Sequence, residues 1–298
     1  MKKLLKWLAC TVLGLVGLIV IGAVIVYVSS NAKLTRTHPV AVQPIAIPTG
    51  PEAVKRGEHL ALSRGCVDCH GKDFAGAKVM DDGAMGRIYG RNLTPGSAAM
   101  AGYTDLDWVR AIRHGVARDG HGVFIMPSEE YSKLSDADVG ALVAFMKTLP
   151  AVERADVPLS FGPVSRVLLA TGKMKLSADV IDHAHLVPPV VTPAVTAEYG
   201  KYLAVACSGC HGPNLSGGKI AIGPPDWPPA RNLTPHATGD LAKWTEADFF
   251  RAIRASQRPD GTALSPVMPR GFAAMNDTEL GALWAYLRTL PPVATGTR

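Results

Sequence analysis

The chain is 298 residues long, with 47% hydrophobic and 19% charged side chains; this is material for about two globular domains and excludes a disordered protein. Its formal charge of +6 owes three units to Lys2, Lys3 and Lys6, and residues 31–298 hold 28 basic and 25 acidic side chains with no long run of one sign, which excludes a nucleic-acid footprint. The 30 Gly and 23 Pro follow no period, so they indicate loop-rich small domains and neither collagen nor a low-complexity tract.

Residues 7–28 contain no charge and no proline. As a helix this stretch measures roughly 33 Å at about 1.5 Å per residue, enough to cross a bilayer. It is longer than the roughly 7–15-residue apolar region of a cleavable signal, so an anchor is preferred to cleavage, although Ser30-Asn31-Ala32 is a passable cleavage site. Lys2, Lys3 and Lys6 precede the span and only Lys33 and Arg36 follow closely. The positive-inside rule then holds the N-terminus in the cytoplasm and exports everything after Val28. The expectation is a single-pass protein of the cytoplasmic (inner) membrane with its folded domains in the periplasm. Cys10 lies inside the span as a bystander, and residues 31–50, with Pro39, Pro44 and Pro48, read as a stalk.

The rest is one design written twice. Cys66-Val67-Asp68-Cys69-His70-Gly71 returns as Cys207-Ser208-Gly209-Cys210-His211-Gly212, and Arg91-Asn92-Leu93-Thr94-Pro95 returns as Arg231-Asn232-Leu233-Thr234-Pro235. Arg110-Ala111-Ile112-Arg113, Met126-Pro127 and Leu149-Pro150 recur as Arg251-Ala252-Ile253-Arg254, Met268-Pro269 and Leu290-Pro291. Each unit carries three helical signals. The first leads into the Cys motif, with Gly57 and Leu60 spaced like Gly200 and Leu203. The second begins at Thr104 or Thr245, each followed three residues on by Asp107 or Asp248, an N-cap with an acid in the first turn, and ends near Gly115 in the first unit. The third starts after Ser135 or Asn276, carries Val139, Leu142, Val143 and Met146 or Leu280, Leu283, Trp284 and Leu287 on one face, and stops before Pro150 or Pro291. No alternating strand is evident, so both units are expected to be all-α. The organisation reads as an anchor at 1–30, a stalk at 31–50, a first domain at 51–150, a proline-rich connector at 151–195 and a second domain at 196–298.

Cys-x-x-Cys-His places two thiols one helical turn apart with an imidazole directly adjacent, the arrangement that covalent haem attachment requires. A zinc ribbon would space its Cys pairs about 15–20 residues apart, and a thioredoxin-like motif would sit in a βαβ context; neither accounts for the histidines. The expected sites are Cys66, Cys69 and His70 in the first domain and Cys207, Cys210 and His211 in the second, with the imidazoles as iron ligands to two haem c groups. A methionine thioether is the common sixth ligand and raises the potential. Met126 and Met268 match in the repeat and lie 56 and 57 residues after His70 and His211, each before a proline. The competing ligands are His114 and His121, whose aligned positions are Ala255 and Thr262. Met80, Met85, Met100, Met146 and Met174 read as core. Trp108 and Phe249, like Tyr103 and Trp244, occupy matching places that suit a porphyrin wall or ordinary helix packing. Arg91 and Arg231 suit either haem propionates or the surface. Four propionates would offset the small positive balance of the exported part.

On these motifs the sequence resembles the mono- and dihaem c-type cytochromes, which include the cytochrome subunits of membrane-bound bacterial alcohol and sugar dehydrogenases. The resemblance implies tandem class I cytochrome c folds, haem c in each, His/Met ligation, and electron delivery between a dehydrogenase or quinol donor and an oxidase or soluble carrier. Those dehydrogenase subunits carry three haem motifs where this chain has two. With six-coordinate irons the expected role is electron transfer without substrate chemistry. The alternatives are a dihaem redox enzyme such as a peroxidase, with one open iron, and a cytochrome subunit of a larger dehydrogenase complex.

Overall fold

In the computed structural model, which describes residues 2–220 and 227–297, the apolar N-terminal stretch is a single helix, α1 (Lys2–Leu34). It is long and apolar enough to cross a membrane, and Ser30 is its one buried residue. Protein meets it at its last turns. Lys33 Nζ donates to the Leu169 carbonyl at 2.7 Å, and the Arg166 guanidinium lies 4.4 Å from the centroid of the Tyr27 ring.

The first repeat folds as α2 (Pro51–Ser63), α3 (Cys66–His70), α4 (Asp105–His114), α5 (Ser128–Tyr131) and α6 (Asp136–Met146). The connector supplies α7 (Pro163–Ala170) and α8 (Ser177–Val180), and the second repeat α9 (Ala197–Ala204), α10 (Ser208–His211), α11 (Glu246–Ala255) and α12 (Asp277–Thr289). The caps explain the boundaries. Thr104 Oγ1 accepts from the Asp107 amide while the Asp107 carboxylate accepts from the Thr104 amide, and Thr245 with Asp248 repeats that box. Gly115, at φ 64°, ends α4 in the left-handed region open to glycine.

Each domain is built on the crossing of its first and last helices. A Cβ on Gly57 would lie 2.0 Å from the Ala141 carbonyl oxygen, and one on Gly200 would lie 1.9 Å from that of Ala282. Only glycine permits this approach, which lets Leu60, Val139 and Val143 in one domain, and Leu203, Leu280 and Leu283 in the other, bury almost completely.

These two sets belong to a single hydrophobic core, because the domains pack against each other. His59 on α2 reaches Glu279 on α12 at 2.8 Å, and the Tyr202 hydroxyl on α9 donates to Asp138 on α6. His59 and Tyr202 hold matching places in the repeat, as do Asp138 and Glu279. The contacts are therefore reciprocal, the pattern of an approximate two-fold relation between halves.

One feature departs from the all-α expectation for the units. A small antiparallel sheet, in the order β1 (Lys78–Asp82), β2 (Gly86–Tyr89), β3 (Ser160–Phe161), lies beside the first domain. Its strands are too short for alternation to register, and β2 pairs with a connector segment more than seventy residues downstream, where local pattern carries no information. Residues 221–226, between α10 and α11 of the second domain, lie outside the described residues.

The stalk does not stand free. A Cβ on Gly140 would meet the Ala46 carbonyl at 2.5 Å, and Val42, Ile45 and Ile47 pack on the core. The stalk thus lies along α6.

Candidate haem-binding sites

In each repeat the Cys motif forms a single turn, α3 or α10, that ends on a glycine at positive φ, Gly71 at 79° and Gly212 at 81°. This turn sharply reverses the chain after the histidine. No disulfide joins the four motif cysteines. Burial pushes the Cys66 and Cys207 thiols up to about 12, so they lie in apolar surroundings as neutral thiols.

The two histidines are held identically. His70 Nδ1–H donates to the Arg91 carbonyl at 2.8 Å, and His211 Nδ1–H to the Arg231 carbonyl at 2.7 Å. Burial lowers the pKa of both imidazoles, which keeps them neutral. An imidazole whose Nδ1 is committed to a carbonyl presents an unprotonated Nε2, the form that ligates iron. This clamp is the part of the site that motif reading misses. Arg91 and Arg231 matter here through their backbone, while their exposed guanidinium groups approach Asp156 and Asp240.

What holds those carbonyls in place is the Asn-Leu-Thr-Pro turn. Asn92 donates to the Val152 and Arg154 carbonyls at 2.9 Å and accepts from Thr94, whose hydroxyl in turn accepts from the Val152 amide. Asn232 and Thr234 make the corresponding bonds to Val293. All four side chains are buried. The recurring motif is thus a polar staple joining the histidine-holding turn to the chain beyond the last helix.

In the second domain these groups open on a cavity of about 530 Å³ whose wall includes Cys207, Cys210, His211, Met268, Phe249 and Trp244. Two thiols, one neutral imidazole and the Met268 thioether, on a largely apolar wall that also includes Met275, form a donor set that fits haem c. In the first domain Cys66, Met126, Tyr103 and Trp108 lie at the core, and Tyr103 meets Trp108 edge-on at 5.1 Å. Phe249 and Trp284 pack 5.7 Å apart in the second.

The rival histidines are engaged elsewhere. His114 is buried and pairs with His183 at 3.0 Å between Nδ1 atoms, and His121 approaches Asp119 in a surface hairpin.

The domain interface also touches both Cys turns. A Cβ on Gly271 would lie 3.3 Å from Asp68 Oδ2, and one on Gly209 would lie 2.5 Å from Glu130 Oε1. The residues just beyond each methionine therefore rest on the other domain's attachment turn.

Residues 54–150 and 197–291 each match the cytochrome c family, together more than half of the chain. The chain is 31% identical over 273 residues to a gluconate 2-dehydrogenase cytochrome c subunit of Pantoea cypripedii, covering 80% of this chain and 59% of that protein. It is 26% identical over 275 residues to a fructose dehydrogenase cytochrome subunit of Gluconobacter japonicus, covering 81% and 53%. It is also 26% identical over 296 residues to a diheme cytochrome c-type protein of Cereibacter sphaeroides, covering 91% and 97%. The chain thus spans somewhat more than half the length of the dehydrogenase subunits and nearly all of the dihaem protein. With both repeats matched and both Cys turns built alike, the chain belongs to the cytochrome c family, with two covalently bound haem c groups.

Proposed function

We propose that the chain carries electrons at the periplasmic face of the cytoplasmic membrane, anchored by α1, from a dehydrogenase or quinol donor to an oxidase or soluble carrier. In this reading Cys66 and Cys69 would hold the first haem covalently, with His70 and Met126 as its iron ligands, and Cys207 and Cys210 would hold the second, with His211 and Met268. The bound haem supplies a one-electron ferric–ferrous couple. The protein's own residues keep the imidazoles neutral and oriented and exclude water with the aromatic walls. The observation that carries the reading is the twice-built histidine clamp beside paired thiols, with Met268 on the same cavity wall as His211.

A haem-stained denaturing gel and a redox titration of the detergent-solubilised protein test it together. Replacing Cys66 and Cys69 by Ala, or Cys207 and Cys210 by Ala, is expected to halve the covalent haem. Undiminished stain would refute the site concerned.

A second reading makes the chain the cytochrome subunit of a larger dehydrogenase complex, as the names of its sugar-acid and sugar dehydrogenase relatives suggest. Co-purification of a dehydrogenase from detergent extracts favours it; isolation as a free dihaem protein favours the independent carrier. A peroxidase would need an open iron, so ready binding of carbon monoxide by one reduced haem of the unaltered protein would favour that alternative.

A further inference from the structure

The domain interface places one carboxyl of the first domain against the attachment turn of the second haem. Glu130 leaves α5, four residues past Met126, and crosses to α10, where it accepts a hydrogen bond from the Gly209 amide. A side chain at 209 would occupy the carboxylate's place, since a Cβ there falls 2.5 Å from Oε1. At the matching positions the acid and the glycine are exchanged, with Asp68 on the first attachment turn and Gly271 facing it. Both acids of this matched pair thus come from the first domain, and Glu130 is the one that reaches across to the Cys turn of the other domain.

Its surroundings are low in compensating charge. Close by in sequence it has Glu129 on α5, which repels it, and Lys133 just beyond α5, which attracts it. From α9 the intervening groove is lined by Tyr199, Tyr202, Glu198 and Lys201, and from the connector by Asp182 and His185. Arg64 is buried in the same interface, where Nη1 donates to the Leu203 carbonyl at 3.3 Å and Nη2 has no partner. Both Glu130 and Arg64 act on Cys207. Burial and then Glu129 push the Glu130 carboxyl up to about 8.

We propose that Glu130 is a positioning residue for the electron-transfer reaction, whose protonation is coupled to the oxidation state of the second haem across the domain interface. When an electron from the redox partner reduces ferric iron to ferrous iron there, Glu130 takes a proton from solvent and passes from carboxylate to carboxylic acid. Reoxidation by the acceptor returns the electron and releases the proton. The anionic carboxylate favours the ferric state, so the second haem is the weaker oxidant at alkaline pH. This inference rests on the assignment of that haem to Cys207, Cys210 and His211.

The test is potentiometric titration of the full dihaem protein in detergent, from about pH 6 to about pH 9, on the wild type, Glu130→Gln and Glu130→Asp. One haem of the wild type is expected to fall in potential as pH rises. The limit is a tenfold change in its one-electron equilibrium constant per pH unit, about 59 mV. Glu130→Gln should flatten that dependence, raise this haem's potential at about pH 9, leave it unchanged at about pH 6, and leave the other haem as in the wild type. Glu130→Asp, with a shorter reach, should keep a dependence shifted to lower pH. Identical profiles in wild type and Glu130→Gln overturn the proposal, as do equal shifts of both haems. Peptide mass spectrometry of the same samples separates the underlying assignment: an unmodified 207–211 peptide would refute the haem site itself.

Discussion

Around Met126 the chain is covered twice. The stalk pairs Thr37 with His121 and sends the His38 amide to the Gly120 carbonyl, and the connector donates from Ser177 Oγ to the Met126 carbonyl at 2.7 Å. Around Met268 the corresponding hairpin, closed by its own Gln257–Ala263 bridge, is largely exposed from residue 257 to 263. Duplication gave both domains the same attachment turn and the same polar staple, while segments outside the repeat made the two methionine loops unlike. The loop leading to Met268 is therefore the more exposed of the two.

The sharpest way to break this comparison is to remove the thioethers. Met268→Ala and Met126→Ala should each lower the potential of their own haem by a sizeable part of the roughly 0.8 V range that axial ligands cover, leaving the other haem in place. If covering matters, reduced Met268→Ala will bind carbon monoxide faster than reduced Met126→Ala in flash photolysis. Equal rates would mean that the straps do not shield the first haem.

Substitutions at the helix crossings should act alike in both domains, because the repeat built both. Gly57→Ala and Gly200→Ala should each destabilise by at least about 1–3 kcal/mol, the usual cost of overpacking, in chemical denaturation followed through the haem band. The shared core predicts one transition for either variant. Two separated transitions would show that the interface is weaker than its buried contacts indicate.

The smallest expected effect belongs to the first domain alone. His183 Nε2–H donates to the Ala178 carbonyl, so its Nδ1 accepts from His114 Nδ1–H. Burial first, then His183, bring His114 down to about 4. A histidine with a depressed folded pKa loses stability as pH falls below its unfolded value near 6.5, until the folded group titrates near 4. Acidification through that window should increase amide exchange in the connector while the Met268 hairpin is unchanged. Uniform change across both loops would refute an acid-sensitive strap.

The helices of the repeats were legible because their signals are local. Thr104 with Asp107 and Thr245 with Asp248 form the anticipated caps, and Gly115 ends its helix as expected. The candidate haem donors were legible for the same reason, since two thiols and an imidazole on one turn have meaning at any place in a chain. The Asn-Leu-Thr-Pro repeat was visible as a pattern but not as a staple, because its hydrogen bonds run to Val152 and Val293, about sixty residues away.

What the sequence alone determined is the duplicated cytochrome c unit, its pair of haem motifs and the apolar N-terminal helix, all carried by short-range spacing. The tertiary structure decided the rest: which carbonyls orient His70 and His211, how His59 and Tyr202 join the halves, and which methionine loop is covered. It also brought Glu130 to Gly209. These are pairings between segments far apart in the chain, set by how packed surfaces meet, and no periodicity along a single strand or helix encodes which surfaces those will be.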